Sequence, residues 1–133
     1  MTATRVWHEQ CFACGKENGH GLCLDCMLQD DDSVLAKFIP EAWMQGYSGR
    51  LQGGIITTVL DSSMCQCLHH HGIEAVTGSL QVRFHRLAPV EGDYRVSAWI
   101  DRPRHGAWVM RAELQLAGQR IAWGTGVFFA KAC

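Results

Sequence analysis

Asp61 is the only formally charged side chain between Arg50 and Glu74, and it sits inside an apolar run. Ile55, Ile56, Val59, Leu60, Met64, Cys65, Cys67 and Leu68 surround it in the chain, and Gln52-Gly53-Gly54 lies just ahead. A carboxylate removed from water is costly, so such a group is neutralised, paired, or kept because chemistry needs it. The chemistry it suits is proton abstraction or direct nucleophilic attack. The structural alternative is a hydrogen bond to the hydroxyls of Thr57 or Thr58, one turn back on the same helical face. The two glycines permit a tight turn and leave room for a ligand.

A second set of reactive side chains lies near the start. Cys11 and Cys14 have C-x-x-C spacing, Cys23 and Cys26 repeat it, and His8 and His20 are close by. Four such thiols suit tetrahedral zinc. Against that, residues 22–28 alternate as a strand would, which sends Cys23 and Cys26 to opposite faces, and the interval between the pairs is short for a zinc ribbon. Small buried thiols are the alternative. His69-His70-His71 look like a metal cluster, but consecutive helical residues point in different directions. The triplet suits the negative end of a helix, facing solvent.

The elements that must position these groups follow from periodicity. Residues 55–68 are apolar on nearly every side, which predicts a buried helix of about four turns, ending near His71 with Gly72 as its C′ residue. Residues 11–22 are rich in Gly and Asn and read as a looped knuckle after a polar arm. Residues 30–33 form a turn between strands at 22–28 and 34–39, the second stopped by Pro40. Residues 41–47 form a short helical turn, and residues 46–54 are a flexible approach to the helix. From Ala75 the period switches to two. Leu80, Val82 and Phe84 alternate with polar neighbours, as do Tyr94, Val96, Ala98 and Ile100. Two further strands span 107–116 and 120–129, joined at Ala117-Gly118-Gln119. Ala122, Gly124 and Gly126 give the last strand one face of very small residues, which lets a helix approach closely. The order is strand, strand, long buried helix, then three or four long strands. Only a strongly curved antiparallel sheet covers such a helix on most of its circumference, an α+β architecture.

With 133 residues the chain reads as one domain with a single core. A formal net charge of −1 gives no basic surface for nucleic acid and no acidic tail. No apolar run reaches membrane-spanning length, and residues 1–10 lack a signal-peptide h-region, so a cytoplasmic protein is expected. Seven cysteines, an odd number, point to reduced thiols rather than a disulfide framework.

Three motifs within this order resemble the hotdog-fold acyl-CoA thioesterases, in particular their PaaI-like branch. Cys11-Phe12-x-Cys14-Gly15 with Asn18 and Gly21-Leu22 is similar to an N-terminal signature of one group of these proteins, with Gly19 replacing its usual proline. Gly53-Gly54, six residues and Asp61 resemble the family's H-G-G-x6-D/E motif, with Gln52 in place of the histidine. Thr77-x-x-Leu80-x-Val82-x-Phe84 ahead of Pro89 is similar to the strand that follows the family's helix.

The resemblance implies a single hotdog domain over 1–133, with residues 1–20 as arm and knuckle and 21–133 as a curved sheet wrapped around the helix. It implies acyl-CoA hydrolysis with Asp61 as general base or nucleophile, the Gly54 amide as oxyanion donor, and Thr77 orienting water. A helix start suits an oxyanion because its N–H groups lack helical partners. Gln52 hydrogen-bonds but does not change charge near neutrality, which leaves a non-catalytic acyl- or CoA-binding protein as the alternative. Gly53, Thr57 and Met64 are further substrate-binding candidates, with Trp43, Met44 and Tyr47 along an acyl channel. Arg83, Arg86, Arg102, Arg104 and His70 are the cations available for coenzyme A phosphates. The resemblance also implies a homodimer or a dimer of dimers, with the site shared between protomers. It implies no metal cofactor, with structural zinc at Cys11/Cys14/Cys23/Cys26 as the alternative.

Overall fold

The apolar run forms one helix, α1 (Gly53–His70), in the computed structural model, which describes residues 8–131. Around it runs one six-stranded antiparallel sheet. Its strands are β1 (Met27–Leu28), β2 (Val34–Phe38), β3 (Ala75–Phe84), β4 (Tyr94–Arg104), β5 (Ala107–Leu116) and β6 (Gln119–Ala130). They lie in the order β1-β2-β4-β5-β6-β3, and α1 packs against β2 to β6. Val59, Leu60, Met64 and Leu68 are fully enclosed, each burial stabilising the fold by about 1.5–3 kcal/mol.

The small face of β6 does what its composition predicts. A Cβ on Gly124 would lie 3.6 Å from Met64 Cε and 3.7 Å from Leu60 Cδ1, and one on Gly126 would lie 3.2 Å from Met64 Sδ. A methyl at Gly124 would just reach van der Waals contact with α1, and one at Gly126 would press on Met64. The β5–β6 turn is a two-residue hairpin, with Ala117 and Gly118 at φ of 51° and 78°, the primed geometry that matches strand twist.

In β3 the register shifts between Thr77 and Ser79, so that Gly78 is an extra residue in the ladder. Thr77 pairs with Phe128 and Leu80 with Gly126, both partners lying on the helix side of β6. The bulge thus explains the odd Thr77-x-x-Leu80 spacing: both residues face α1 although three positions separate them.

Several sequence expectations need correction. Of residues 22–28 only Met27–Leu28 is a strand. Cys23 has φ of 51°, which breaks the extended run, and the Leu22 and Leu24 amides donate to Phe12 O at 2.7 Å and Ala13 O at 2.8 Å. The segment is tied to the knuckle instead of to β2. β4 runs on through Pro103, which is tolerated because β2 pairs only with residues 94–98 and leaves that side of β4 without a ladder. Residues 46–54 are not a loose approach. Gly46 N donates to Arg50 O, Leu51 N to Ala88 O and Gln52 N to Met44 O, all at 2.8–2.9 Å.

Of the histidine triplet only His71 is exposed to solvent, as expected of a helix end. His69 is buried, His70 Nε2 lies 2.8 Å from Cys26 O, and His71 Nε2 lies 2.9 Å from Asp32 O. Gln66 is also buried. It accepts from Cys26 N at 3.0 Å and donates to Leu24 O at 2.9 Å and Ser62 Oγ at 3.1 Å. These polar side chains replace sheet pairing for the segment before β1, satisfying backbone groups that would otherwise be buried without partners.

Candidate active site

Asp61 lies at the middle of α1, half-buried, and accepts a hydrogen bond from Thr77 Oγ1 at 2.7 Å. The hydroxyls of Thr57 and Thr58 do not hold it. They donate back along the helix to Gly53 O and Gly54 O, each at 2.9 Å. No ion pair reaches Asp61 among the described residues. Burial pushes its carboxyl above the ordinary aspartate value, and the Thr77 bond pulls it partly back. A carboxylate so placed is more basic than a solvated one and suits proton abstraction. Cys65, one turn further on, does not compete as nucleophile, because burial pushes its thiol up to about 12.

At the other end of the same helical face is the glycine corner. Gln52 is the N-cap of α1, and its side-chain oxygen accepts from Ile55 N at 3.1 Å, an amide that also donates to Gln52 O at 3.0 Å. Gly54 has to be glycine for this cap to form, since a Cβ there would come within 2.6 Å of Gln52 Oε1. Gly53 and Gly54 are the first two helical residues, whose N–H groups have no partner four residues back. Gly53 packs near the Phe84 ring, 3.6 Å from where its Cβ would be.

A cleft of about 440 Å³ opens beside this corner, lined in part by Tyr47, Arg50, Gln52, Gly53, Phe84 and Arg86. Two guanidinium groups at a helix N-terminus, with two aromatic rings, suit an anionic ligand that also carries apolar or planar groups. Arg86 and Tyr47 were expected candidates; Arg50 and Phe84 were not. Arg50 is sequence-adjacent to the Gly-Gly motif but separated from Arg86 by the whole of α1 and β3, and the two loops meet through the Arg50↔Pro89 bridge and the bonds from Leu51 N to Ala88 O and Val90 N to Gly49 O.

Gly54 and Asp61 share a face because seven residues make nearly two full turns, and they stand about 10.5 Å apart along the axis. A thioester carbonyl hydrogen-bonded to one amide and attacked beside one carboxylate needs both groups within about 3 Å of its reacting atoms. The two groups of one chain therefore do not address the same carbonyl.

Other expected site residues lie elsewhere. Met64 is enclosed in the core against Gly124 and Gly126 and lines no channel, and Met44 is likewise buried. Trp43 is 58% exposed and donates its indole N–H to Glu41 Oε2 at 3.0 Å, outside the cleft. Thr57 uses its hydroxyl within the helix. Arg83 is exposed on β3, Arg104 borders a groove with Gly78 and Ser79, and Arg102 pairs with Asp101 at 2.6 Å. His70 stands about 24 Å along the axis from Gly54. The two C-x-x-C pairs do not converge: Cys23 is exposed and Cys26 buried. Among the described residues, metal-ligating atoms gather instead as His8 with Cys11 and Cys14, and as His8 with Cys65 and His69.

No protein-family model and no curated protein sequence matches this chain. Solved structures do. A thioesterase superfamily protein superposes with a TM-score of 0.85 over 92% of this chain at 20% identity, and the chain spans 61% of that protein's length. The PaaI protein of the E. coli phenylacetic acid degradation operon gives 0.75 at 16% identity, over 84% of this chain and 81% of its own. A hypothetical thioesterase from Streptococcus pneumoniae TIGR4, solved with coenzyme A, gives 0.76 at 14% identity, over 82% and 89%. The chain thus has the hotdog fold shared by a thioesterase superfamily protein and by PaaI.

Proposed function

We propose that this chain is an acyl-CoA thioesterase whose competent unit is a homodimer or a dimer of dimers, in a reducing, cytoplasmic setting. The observation that carries the reading is Asp61, a carboxylate half-buried on the central helix, without an ion-pair partner among the described residues and oriented by the Thr77 hydroxyl. The ionised carboxylate takes a proton from water as its oxygen adds to the thioester carbonyl. The Gly54 N–H of the other protomer holds the developing oxyanion. Collapse breaks the C–S bond, and the proton held on Asp61 passes to the leaving CoA thiolate, giving the free acid and CoA thiol. Arg50 and Arg86 bind phosphate groups of CoA.

The sheet supplies a reason for the sharing. β3 is an edge strand with one side of its ladder open, and Val76, Phe84, Leu87 and Phe129 near it are exposed. An open apolar edge favours pairing with a second copy. Twofold antiparallel pairing of β3 with itself sets the Thr77 end of one strand against the Phe84 end of the other. Thr77 touches Asp61 and Phe84 touches Gly53, so the pairing carries the carboxylate of one protomer toward the glycine corner of its partner. Replacing Asp61 by Asn keeps an oxygen for Thr77 but removes the base. Turnover of a panel of short, long and aromatic acyl-CoAs should fall by about 10²- to 10⁴-fold with the fold intact. Unchanged turnover would sink the proposal.

A second reading is a non-hydrolytic acyl-CoA-binding protein, favoured by Gln52, whose side-chain oxygen is committed to the Ile55 amide. It predicts acyl-CoA binding without thiol release, and activity gained on Gln52→His. Robust hydrolysis by the unaltered chain rejects it.

A further inference from the structure

The knuckle and the helix bring five soft or borderline ligands to one place away from the glycine corner. His8 Nδ1 lies 3.4 Å from Cys14 Sγ, and Cys65 Sγ lies 3.6 Å from His69 Nε2. The rings of His8 and His69 meet edge to face with centroids 4.4 Å apart. The ligand atoms of His8, Cys11 and Cys14 all lie within 4.8 Å of one another, and so do those of His8, Cys65 and His69, which makes His8 the member common to both groups.

These separations have a chemical meaning. Zinc–sulfur and zinc–nitrogen bonds of about 2.3 and 2.0–2.1 Å, at tetrahedral angles, set an N···S edge of about 3.6 Å. Both N···S contacts sit near that edge. The backbone around the first pair is also curled tightly: Gly15 N donates to Cys11 O at 2.8 Å. A Cβ on Gly15 would come within 2.4 Å of Glu9 O and 2.5 Å of Cys11 N, so Cys14-Gly15 closes a turn that no larger residue permits. The knuckle thus presents Cys11 and Cys14 from one tight loop, as metal knuckles do, and the loop lies against the Cys65 and His69 face of α1.

We propose that this nest binds one zinc-class divalent cation, held by His8, Cys11 and Cys14 of the knuckle with the fourth ligand from the Cys65–His69 pair of α1. The donor set is nitrogen and sulfur alone, which selects zinc over magnesium or calcium. Four protein ligands would close the coordination sphere and make the ion a staple between the N-terminal segment and the helix, not a catalyst. The set differs from the two C-x-x-C pairs of the sequence, because Cys23 and Cys26 belong to neither group. The proposal stands independently of acyl-CoA hydrolysis.

The test uses the full chain, purified without chelator and freed of any histidine tag. Elemental analysis should find about one zinc per chain, falling to about a tenth or less in Cys11→Ser/Cys14→Ser and staying unchanged in Cys23→Ser. Cobalt(II) added to chelator-treated wild-type protein should give the intense visible bands of a tetrahedral site together with sulfur-to-cobalt charge transfer, a readout that needs no variant. Chelation should lower the melting temperature of the wild type. A wild-type zinc content no higher than that of the double variant, or absence of tetrahedral cobalt bands, would overturn the proposal in favour of hydrogen-bonded thiols alone.

Discussion

If Asp61 and Gly54 serve the same carbonyl only across a dimer, two inactive variants should repair each other. The first is Asp61→Asn, which removes the base while leaving an acceptor for Thr77 Oγ1. The second is Gly54→Pro, which deletes the N–H at the second residue of α1, a first-turn position where proline breaks no intrahelical bond, although its Cβ displaces the Gln52 side-chain cap. Each homodimer lacks one component at both of its sites. In a heterodimer, one site combines the intact Asp61 with the intact Gly54, and the other has neither. Random reassociation at equal amounts makes about half the dimers mixed, so the mixture should recover about a quarter of the wild-type rate. The two-turn separation of about 10.5 Å along α1 is what makes the prediction sharp: it exceeds the span from amide to carbonyl to base. The assay is thiol release from an acyl-CoA after the variants are co-refolded or co-expressed, with each variant alone as baseline. A mixture no more active than its parents, while native mass spectrometry shows heterodimers, would refute the shared site.

Further outcomes follow from the same geometry. Activity should fall as pH drops, with a midpoint above that of an ordinary aspartate, and Thr77→Val should move the midpoint higher by removing the bond that favours the charged form. Because the folded carboxyl titrates above its unfolded value, the stability it contributes is complete below the ordinary aspartate pKa and is lost as pH rises through the raised one. Asp61→Asn should therefore melt higher than wild type at neutral pH, an advantage that disappears in acid. Arg86→Ala should raise KM for acyl-CoAs while leaving short thioesters that lack the nucleotide unaffected. Gly126→Ala puts a Cβ 2.8 Å from Phe128 Cε1 and 3.2 Å from Met64 Sδ, so it should cost about 1–3 kcal/mol in urea unfolding. The penalty should shrink in a Met64→Ala background, which a double-mutant cycle reads directly.

Much of the architecture was legible because it rests on local patterns. The all-round apolar run gave α1, the change to alternation at Ala75 gave the long strands, and the small face of β6 announced the close approach of the helix. What stayed hidden depends on contacts distant in sequence. Residues 22–26 alternate like a strand, yet Phe12 and Ala13 capture their backbone and Cys23 adopts a left-handed conformation. Gln66 and His69 read as polar helix residues, and their burial against the segment before β1 and against Cys65 has no local signature. The family resemblance brought Thr77 into the site as a hydroxyl orienting water, not as the partner of Asp61, for which periodicity pointed to Thr57 and Thr58. Arg50 was passed over because a lone arginine in a loop looks like solvated surface until the loops carrying Arg50 and Arg86 are seen side by side.

The extra residue in β3 makes the geometry of that strand stricter than its composition. A swap at Gly78 meets the Phe129 ring, a local conflict that repacking can ease. Flattening the bulge while keeping every residue is a different kind of change, since plain alternation would then send Thr77 and Leu80 to opposite faces. Either the threonine turns to the far side of the sheet and leaves the acid unsupported, or Leu80 and Val82 turn out to water together. A flat strand of this length trades the chemistry for the core or the core for the chemistry, and only removing the surplus position along with the bulge keeps both.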